Sequence, residues 1–180
     1  MKDLHFKIAK IINKIIEKNN FPDCEIILDK ACHGTQNIPL FCSDVKSNPT
    51  EYCNVDILIL KKGKIKVLIE IEVSKIIPTQ ICGKFLTSAL SISYIHKKKA
   101  NNVIEMDDSV FFIQIVDIEN LKTNSRKFKQ FENLKNSINA IIPLKNSKIK
   151  EYFLLQFEDK SSRKYSFINS INKILSDRLS

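Results

Sequence analysis

Tryptophan is absent from this chain of 180 residues, and glycine occurs only three times. Three glycines cannot build a Gly-rich phosphate loop, which speaks against a nucleoside-triphosphate cradle. Also missing is any apolar run near the roughly 20 residues that span a bilayer. The longest, such as Ile57 to Leu60, are strand-sized. The start, Met1-Lys2-Asp3-Leu4-His5, has no signal-peptide layout, because Lys7 and Lys10 interrupt the apolar positions that follow. The five cysteines are an odd number at irregular spacing. That argues against a disulfide framework and for a reducing compartment, so no membrane association and a cytoplasmic location are expected. Cys24, Cys32, His33, Cys42 and Cys53 crowd one stretch, yet no pair has the two-to-four-residue gap of a structural zinc knuckle. Buried or free thiols are expected there. His5, His33 and His96 lack the Ser or Cys partners of a nucleophilic triad.

What is present is ordinary in amount and uneven in placement. The hydrophobic fraction is 43% and the charged fraction 27%, enough for one domain with its own core. The formal net charge is +9. From Leu121 to Ser180 there are thirteen Lys/Arg against five Asp/Glu, so nearly all of the surplus lies in the last third. A lopsided basic surface suits a polyanion such as nucleic acid; the plainer reading is a solvated surface in a lysine-rich chain.

Periodicity orders the chain. Leu4, Ile8, Ile11, Ile12, Ile15 and Ile16 recur at helical spacing and predict a first helix ending near Asn19-Asn20. Cys24 to Leu28 reads as a strand, and Asp29 to Tyr52 as an irregular excursion with one extended piece around Ile38 to Cys42. Asn54 to Leu60 and Lys64 to Val73 read as a strand pair joined by Lys61-Lys62-Gly63. Pro78 opens a helix expected to run to about Lys97, and Gly83 inside it reads either as close packing on the sheet or as a plain exception. Ser109 to Asp117 is a strand, Arg126 to Ile142 a helix, Glu151 to Phe157 a strand and Ser162 to Leu179 a basic helix. The order predicts one mixed α/β domain over residues 1–180.

The informative stretch is Val55 to Val73. Strand alternation puts Ile65, Val67, Ile69, Ile71 and Val73 on one face, and Lys64, Lys66, Leu68, Glu70 and Glu72 on the other. The hairpin register decides whether Asp56 joins the two glutamates. A three-residue loop pairs Asp56 with Leu68, diagonal to Glu70. A two-residue loop sets it beside Ile69 on the wrong face. Gly63 in the third loop position favours the longer loop. Three carboxylates on one strand pair repel one another unless a cation sits among them, and oxygen ligands select a hard ion, Mg²⁺ or Mn²⁺. Such an ion polarises a phosphodiester and acidifies an attacking water. The plainer reading is a solvated strand face, with Glu70 and Glu72 paired to Lys64 and Lys66.

Val55-Asp56 followed by Glu70-Ile71-Glu72, framed by helix, strands, helix and strand, resembles the PD-(D/E)xK nuclease superfamily. The resemblance covers about residues 4 to 117 and leaves a basic C-terminal part, 118–180. Val55 stands where the motif usually has Pro, and Glu72 where it usually has Lys. The Glu-x-Glu form is similar to type II restriction endonucleases of the BamHI/BglII kind. The resemblance implies a restriction-endonuclease-like mixed β-sheet core flanked by helices and a homodimer acting on double-stranded DNA. It also implies Mg²⁺-dependent hydrolysis, with Mn²⁺ able to substitute, leaving a 5′-phosphate and a 3′-hydroxyl. Asp56, Glu70 and Glu72 would be both catalytic and metal-binding, with Glu17 the nominee for a fourth acid from an earlier helix. Lys84, one turn into the helix from Pro78, is the expected phosphate contact near the site. Arg126, Lys127 and Lys129, and Arg163 and Lys164, are further expected DNA contacts. The competing readings are a structure-specific repair or junction nuclease, a non-catalytic DNA-binding module on a decayed nuclease fold, and an unrelated α/β protein with an acidic strand face.

Overall fold

The computed structural model describes residues 2–73, 76–96, 102–122 and 124–180. It is a mixed α/β architecture in which one eight-stranded mixed sheet separates two pairs of helices. Among the described residues no helix is long and apolar enough to cross a membrane.

Helix α1 (Lys2–Asn19) is followed by β1 (Cys24–Leu28), β2 (Ile38–Phe41), a short 3-10 turn (Asn48–Thr50) and β3 (Glu51–Val55). Next come β4 (Ile57–Lys61), β5 (Lys64–Glu72), α2 (Pro78–Ala89), β6 (Ser93–His96) and β7 (Asn102–Asp117). The chain closes with α3 (Arg126–Ile141), β8 (Ile149–Phe157) and α4 (Ser161–Leu179). β1, β4 and β5 are successive antiparallel neighbours, β5 runs parallel to β7, and β8 runs parallel to β7 on its other side. The first half of β7 turns away to pair with β6, which carries β2 and β3.

Both sheet faces are apolar, as a sheet covered on two sides requires. On one face Ile8 and Ile12 of α1 and Phe167, Ile171 and Leu175 of α4 pack on Ile57, Ile59, Val67, Ile69 and Ile113. On the other, Ile81 and Phe85 of α2 and Phe131 and Ile138 of α3 pack on Leu58, Leu60, Leu68, Phe112 and Tyr152. Residues 118–180 therefore add a strand to the sheet and a helix to each face.

Several expectations change. The strand expected over 54–60 is broken at Asp56, where the chain leaves β2 for β1 and β5. In the excursion over 29–52 the expected extended piece is β2, and the start of β3 is added to it. α2 ends at Ala89 instead of near Lys97, since the backbone N–H of Leu90 bonds back to Leu86 and the next residues extend. The apolar phase of Ile81 to Ile92 continued past the true end and concealed β6, in which Tyr94 and Ile95 are buried. The strand expected from Ser109 begins earlier, as β7 from Asn102; residues 97–101 lie outside the described residues. Gly83 does not pack on the sheet: it is exposed, and a side chain there would meet nothing within 4 Å.

The hairpin differs most instructively. Lys61 pairs with Lys64, so the loop is the two-residue Lys62-Gly63, at φ 52° and 74°. That is the left-handed geometry of a tight hairpin, in which Gly63 carries no side-chain penalty. Taken alone this loop would turn Asp56 to the wrong face. A bulge between Ile59 and Leu60 corrects it: Leu60 pairs with Ile65 but Ile59 with Val67, leaving Lys66 as an extra residue. Ile57 then pairs with Ile69, so Asp56 stands opposite Glu70 rather than diagonal to it. The same bulge moves Ile65 off the face of Val67, Ile69 and Ile71 and into the core beneath α2.

Candidate functional site

Asp56 is locked by its backbone before its side chain acts. Its N–H donates to the Ile69 carbonyl at 3.2 Å, and its own carbonyl accepts from the Asp29 N–H at 2.9 Å. Oδ2 accepts from the Ile71 N–H at 2.7 Å, which aims the carboxylate along β5. The loop that supplies Asp29 turns back through Gly34, where a Cβ would lie 1.7 Å from the Leu28 carbonyl oxygen.

Glu70 projects from the middle of β5 and is 2% exposed. Lys84, from the second turn of α2, donates to its two carboxylate oxygens at 3.1 and 3.2 Å. Lys84 also stands 3.4 Å from the Asn54 carbonyl, and its side chain is still 37% open to water. Burial, joined by the Asp56 charge, pushes the Glu70 carboxyl well above its ordinary value, against the pull of Lys84. Burial also raises Asp56, opposed by the Ile71 N–H and by His5. Burial alone would lower Lys84, yet Glu70 and Asp56 outweigh it and hold the ammonium more firmly protonated. The arrangement is thus one buried carboxylate, Glu70, held by a half-exposed cation, with the partly exposed Asp56 on the neighbouring strand.

Glu72 is differently placed. It is 4% exposed, and each oxygen is engaged by an amide: Gln114 Nε2 at 3.0 Å and Gln80 Nε2 at 2.5 Å. Gln114 in turn accepts from the Tyr152 hydroxyl at 2.9 Å. This chain ties β5, β7, β8 and the first turn of α2 together, one turn below Lys84.

No known family model, curated protein or solved structure matches the chain. The site therefore stands on its own chemistry. Among the described residues no three His, Cys, Asp or Glu side chains are gathered at the spacing of a ready-made metal site. Mg²⁺, however, commonly takes only one or two carboxylates and completes its shell with water and substrate phosphate. Asp56 and Glu70 fit that demand: hard oxygen donors at opposed positions of neighbouring strands, each penalised for its charge in a way a cation relieves. Glu72 fits less well, because an ion would have to displace two amides.

The other expected residues divide. Glu17 bonds to Asn13 on the exposed side of α1 and lies twelve residues beyond His5, about 18 Å along the helix axis. It is too far along α1 to be a fourth acid. Lys84, expected on a DNA phosphate, is instead part of the acidic site. Lys127 donates to the Ile76 carbonyl at 2.9 Å beside the start of α2, with exposed Arg126 and Lys129 next to it. Arg163 pairs with Glu158, and Lys164 with Asp159, so much of their charge is already met.

Three contributors were missed. His5 has its Nε2 3.9 Å from Asp56 Oδ1, a contact no sequence interval of 51 residues announces. Gln80 lies in the first turn of the helix that Pro78 opens, where nothing in the sequence marks it. Gln114 did carry a signal: it is the lone polar residue inside Val110–Val116, and it is fully buried.

Proposed function

We propose that this protein is a Mg²⁺-dependent nuclease that hydrolyses DNA phosphodiester bonds at Asp56, Glu70 and Lys84, most concretely a type II restriction endonuclease acting as a homodimer. The observation that carries the reading is the carboxylate pair, partly exposed Asp56 opposite buried Glu70, with the Lys84 ammonium between Glu70 and solvent. Support also comes from order. A helix, three antiparallel strands, a second helix and a strand parallel to the third carry an acid at the start of the middle strand and Glu-x-Glu on the next. This order supports the likeness to a restriction-endonuclease-like core.

Asp56 and Glu70 would hold the metal, which when bound supplies charge for the phosphoryl oxygens and acidifies water. Lys84 stays protonated in this reading and stabilises the negative charge that grows on a phosphoryl oxygen, rather than serving as a base. It takes the place that the motif usually gives to a lysine on the strand, where this chain has Glu72. Glu72 acts as a brace, fixing the first turn of α2 through Gln80 so that Lys84 reaches Glu70. His5 favours the ionised form of Asp56.

The test is incubation of the purified protein with unmethylated plasmid or phage DNA in Mg²⁺ or EDTA. Discrete Mg²⁺-dependent fragments, lost in Glu70→Gln, are expected. Cleavage of branched but not linear duplex DNA would transfer the reading to a structure-specific nuclease. Intact DNA on every template, with binding retained, would make the protein a DNA-binding module.

A further inference from the structure

Part of the positive charge in the basic third of the sequence is met by neighbouring acids. Lys148, Lys160, Arg163, Lys164 and Arg178 each lie within ion-pair distance of an acid. On α1, Lys10, Lys14 and Lys18 are exposed and have no ion-pair partner among the described residues. They recur every four residues, so they form one row along the helix with about 6 Å between neighbours. The row lines a groove of about 480 Å³ between α1 and α4. Asp159 already holds Lys7 at 3.2 Å and Lys164 at 2.6 Å where those two lysines enter the groove. Across from the row, α4 presents Asn169 and Asn172, which are neutral.

The floor is apolar but mostly spoken for. Ile15 is 7% exposed, and Ile11 and Ile168 pack against the core beneath them. An amphipathic acidic helix would need an open apolar strip for its own apolar face. A linear polyanion needs only the evenly spaced cations and neutral donors that the two walls offer.

We propose that the α1–α4 groove is a second nucleic-acid contact, gripping the backbone of a strand outside the candidate site through Lys10, Lys14 and Lys18. The proposal rests on the reading of the protein as a DNA-acting one. Its test needs no cleavage, so the two fail separately.

The experiment is fluorescence-anisotropy titration of the full chain, in EDTA, with a labelled single-stranded oligonucleotide and with its duplex, over a range of salt. Three proteins are compared: the wild type, Lys10→Glu/Lys14→Glu/Lys18→Glu, and the control Lys46→Glu/Lys135→Glu/Lys145→Glu, which has the same charge change at exposed sites away from the groove. Each phosphate contact contributes about 0.7 to 0.9 to the slope of log affinity against log salt, so losing three should flatten the slope by about 2. Expected is that flattening, with at least a tenfold loss of affinity at moderate salt, in the groove variant alone. Equal losses in both variants would overturn the proposal, because net charge would then explain them. Wild-type binding to a synthetic acidic amphipathic peptide but to neither oligonucleotide would overturn it in favour of a protein partner. Lys10→Gln/Lys14→Gln/Lys18→Gln keeps the test open if charge reversal unfolds α1, since it removes the contacts without adding repulsion.

Discussion

If Asp56 and Glu70 hold a divalent ion, Lys84 must compete with it, because the ammonium already occupies both Glu70 oxygens at 3.1 and 3.2 Å. A hydrogen bond to a charged partner is worth about 1.5–3 kcal/mol when dry, and the exposure of Lys84 brings that down to about 1–1.4 kcal/mol. Removing it by Lys84→Met should therefore tighten Mg²⁺ by roughly five- to tenfold, since about 1.4 kcal/mol is a factor of ten. Thermal denaturation reads this without any knowledge of the DNA site. At ten times a Kd of about 1 mM the metal stabilises the wild type by about 1.4 kcal/mol, and at a hundred times Kd the variant gains about 2.7 kcal/mol. For a chain of this size those gains raise Tm by about 3–6 °C and about 5–11 °C respectively. Glu70→Gln should show no Mg²⁺ shift. Lys84→Met should thus bind metal better and cut worse, a combination that a purely structural lysine would not produce. A Mg²⁺ shift in Glu70→Gln equal to that of the wild type, or no shift in any of the three, would refute the reasoning.

Other expectations follow from the same geometry. Because the Glu70 carboxyl is held above its ordinary value of 4.5, the folded protein binds that proton more tightly than the unfolded chain. The penalty for its charge is absent below that ordinary value and grows as pH rises through the folded one. Glu70→Gln should flatten this loss of stability with pH, as read by chemical denaturation across the acid-to-neutral range. Gln114→Leu leaves Glu72 Oε1 and the Tyr152 hydroxyl without their partner and should cost about 2–4 kcal/mol in urea unfolding. Gly34→Ala places a Cβ against backbone and should cost at least about 2 kcal/mol while weakening any metal response, because it displaces the loop behind Asp56. Gly63→Ala, with nothing near its Cβ, should cost only about 1 kcal/mol of left-handed strain and leave the metal response intact.

Much of this was legible in the chain. The apolar spacing of α1, the continuous apolar runs of β4, β5 and β7, and the phases of α3 and α4 each mark an element whose buried face repeats with the period of its backbone. The pair Asp56 and Glu70 was legible as chemistry, because two carboxylates set into such apolar strands demand a compensating charge. The route to their meeting was not. Sequence favoured a three-residue turn; the protein uses a two-residue turn and a bulge, and a one-residue difference of this kind depends on packing of Ile65 beneath α2 rather than on the turn residues.

The sequence by itself determined the class of the protein: an α/β chain with two apolar strand faces, an acid on one strand and Glu-x-Glu on the next. Only the tertiary structure decided which cation answers those acids. Lys84 comes from a helix fourteen residues beyond Glu70, Gln114 and Tyr152 from strands 42 and 80 residues beyond Glu72, and His5 from 51 residues before Asp56. Local periodicity carries no information about such pairings, because they are set by how two helical layers close over one sheet. The distribution of charge was settled the same way: among the described residues, folding pairs six of the thirteen basic residues of the last third with acids, and it aligns three lysines of the first helix that have no ion-pair partner along one groove.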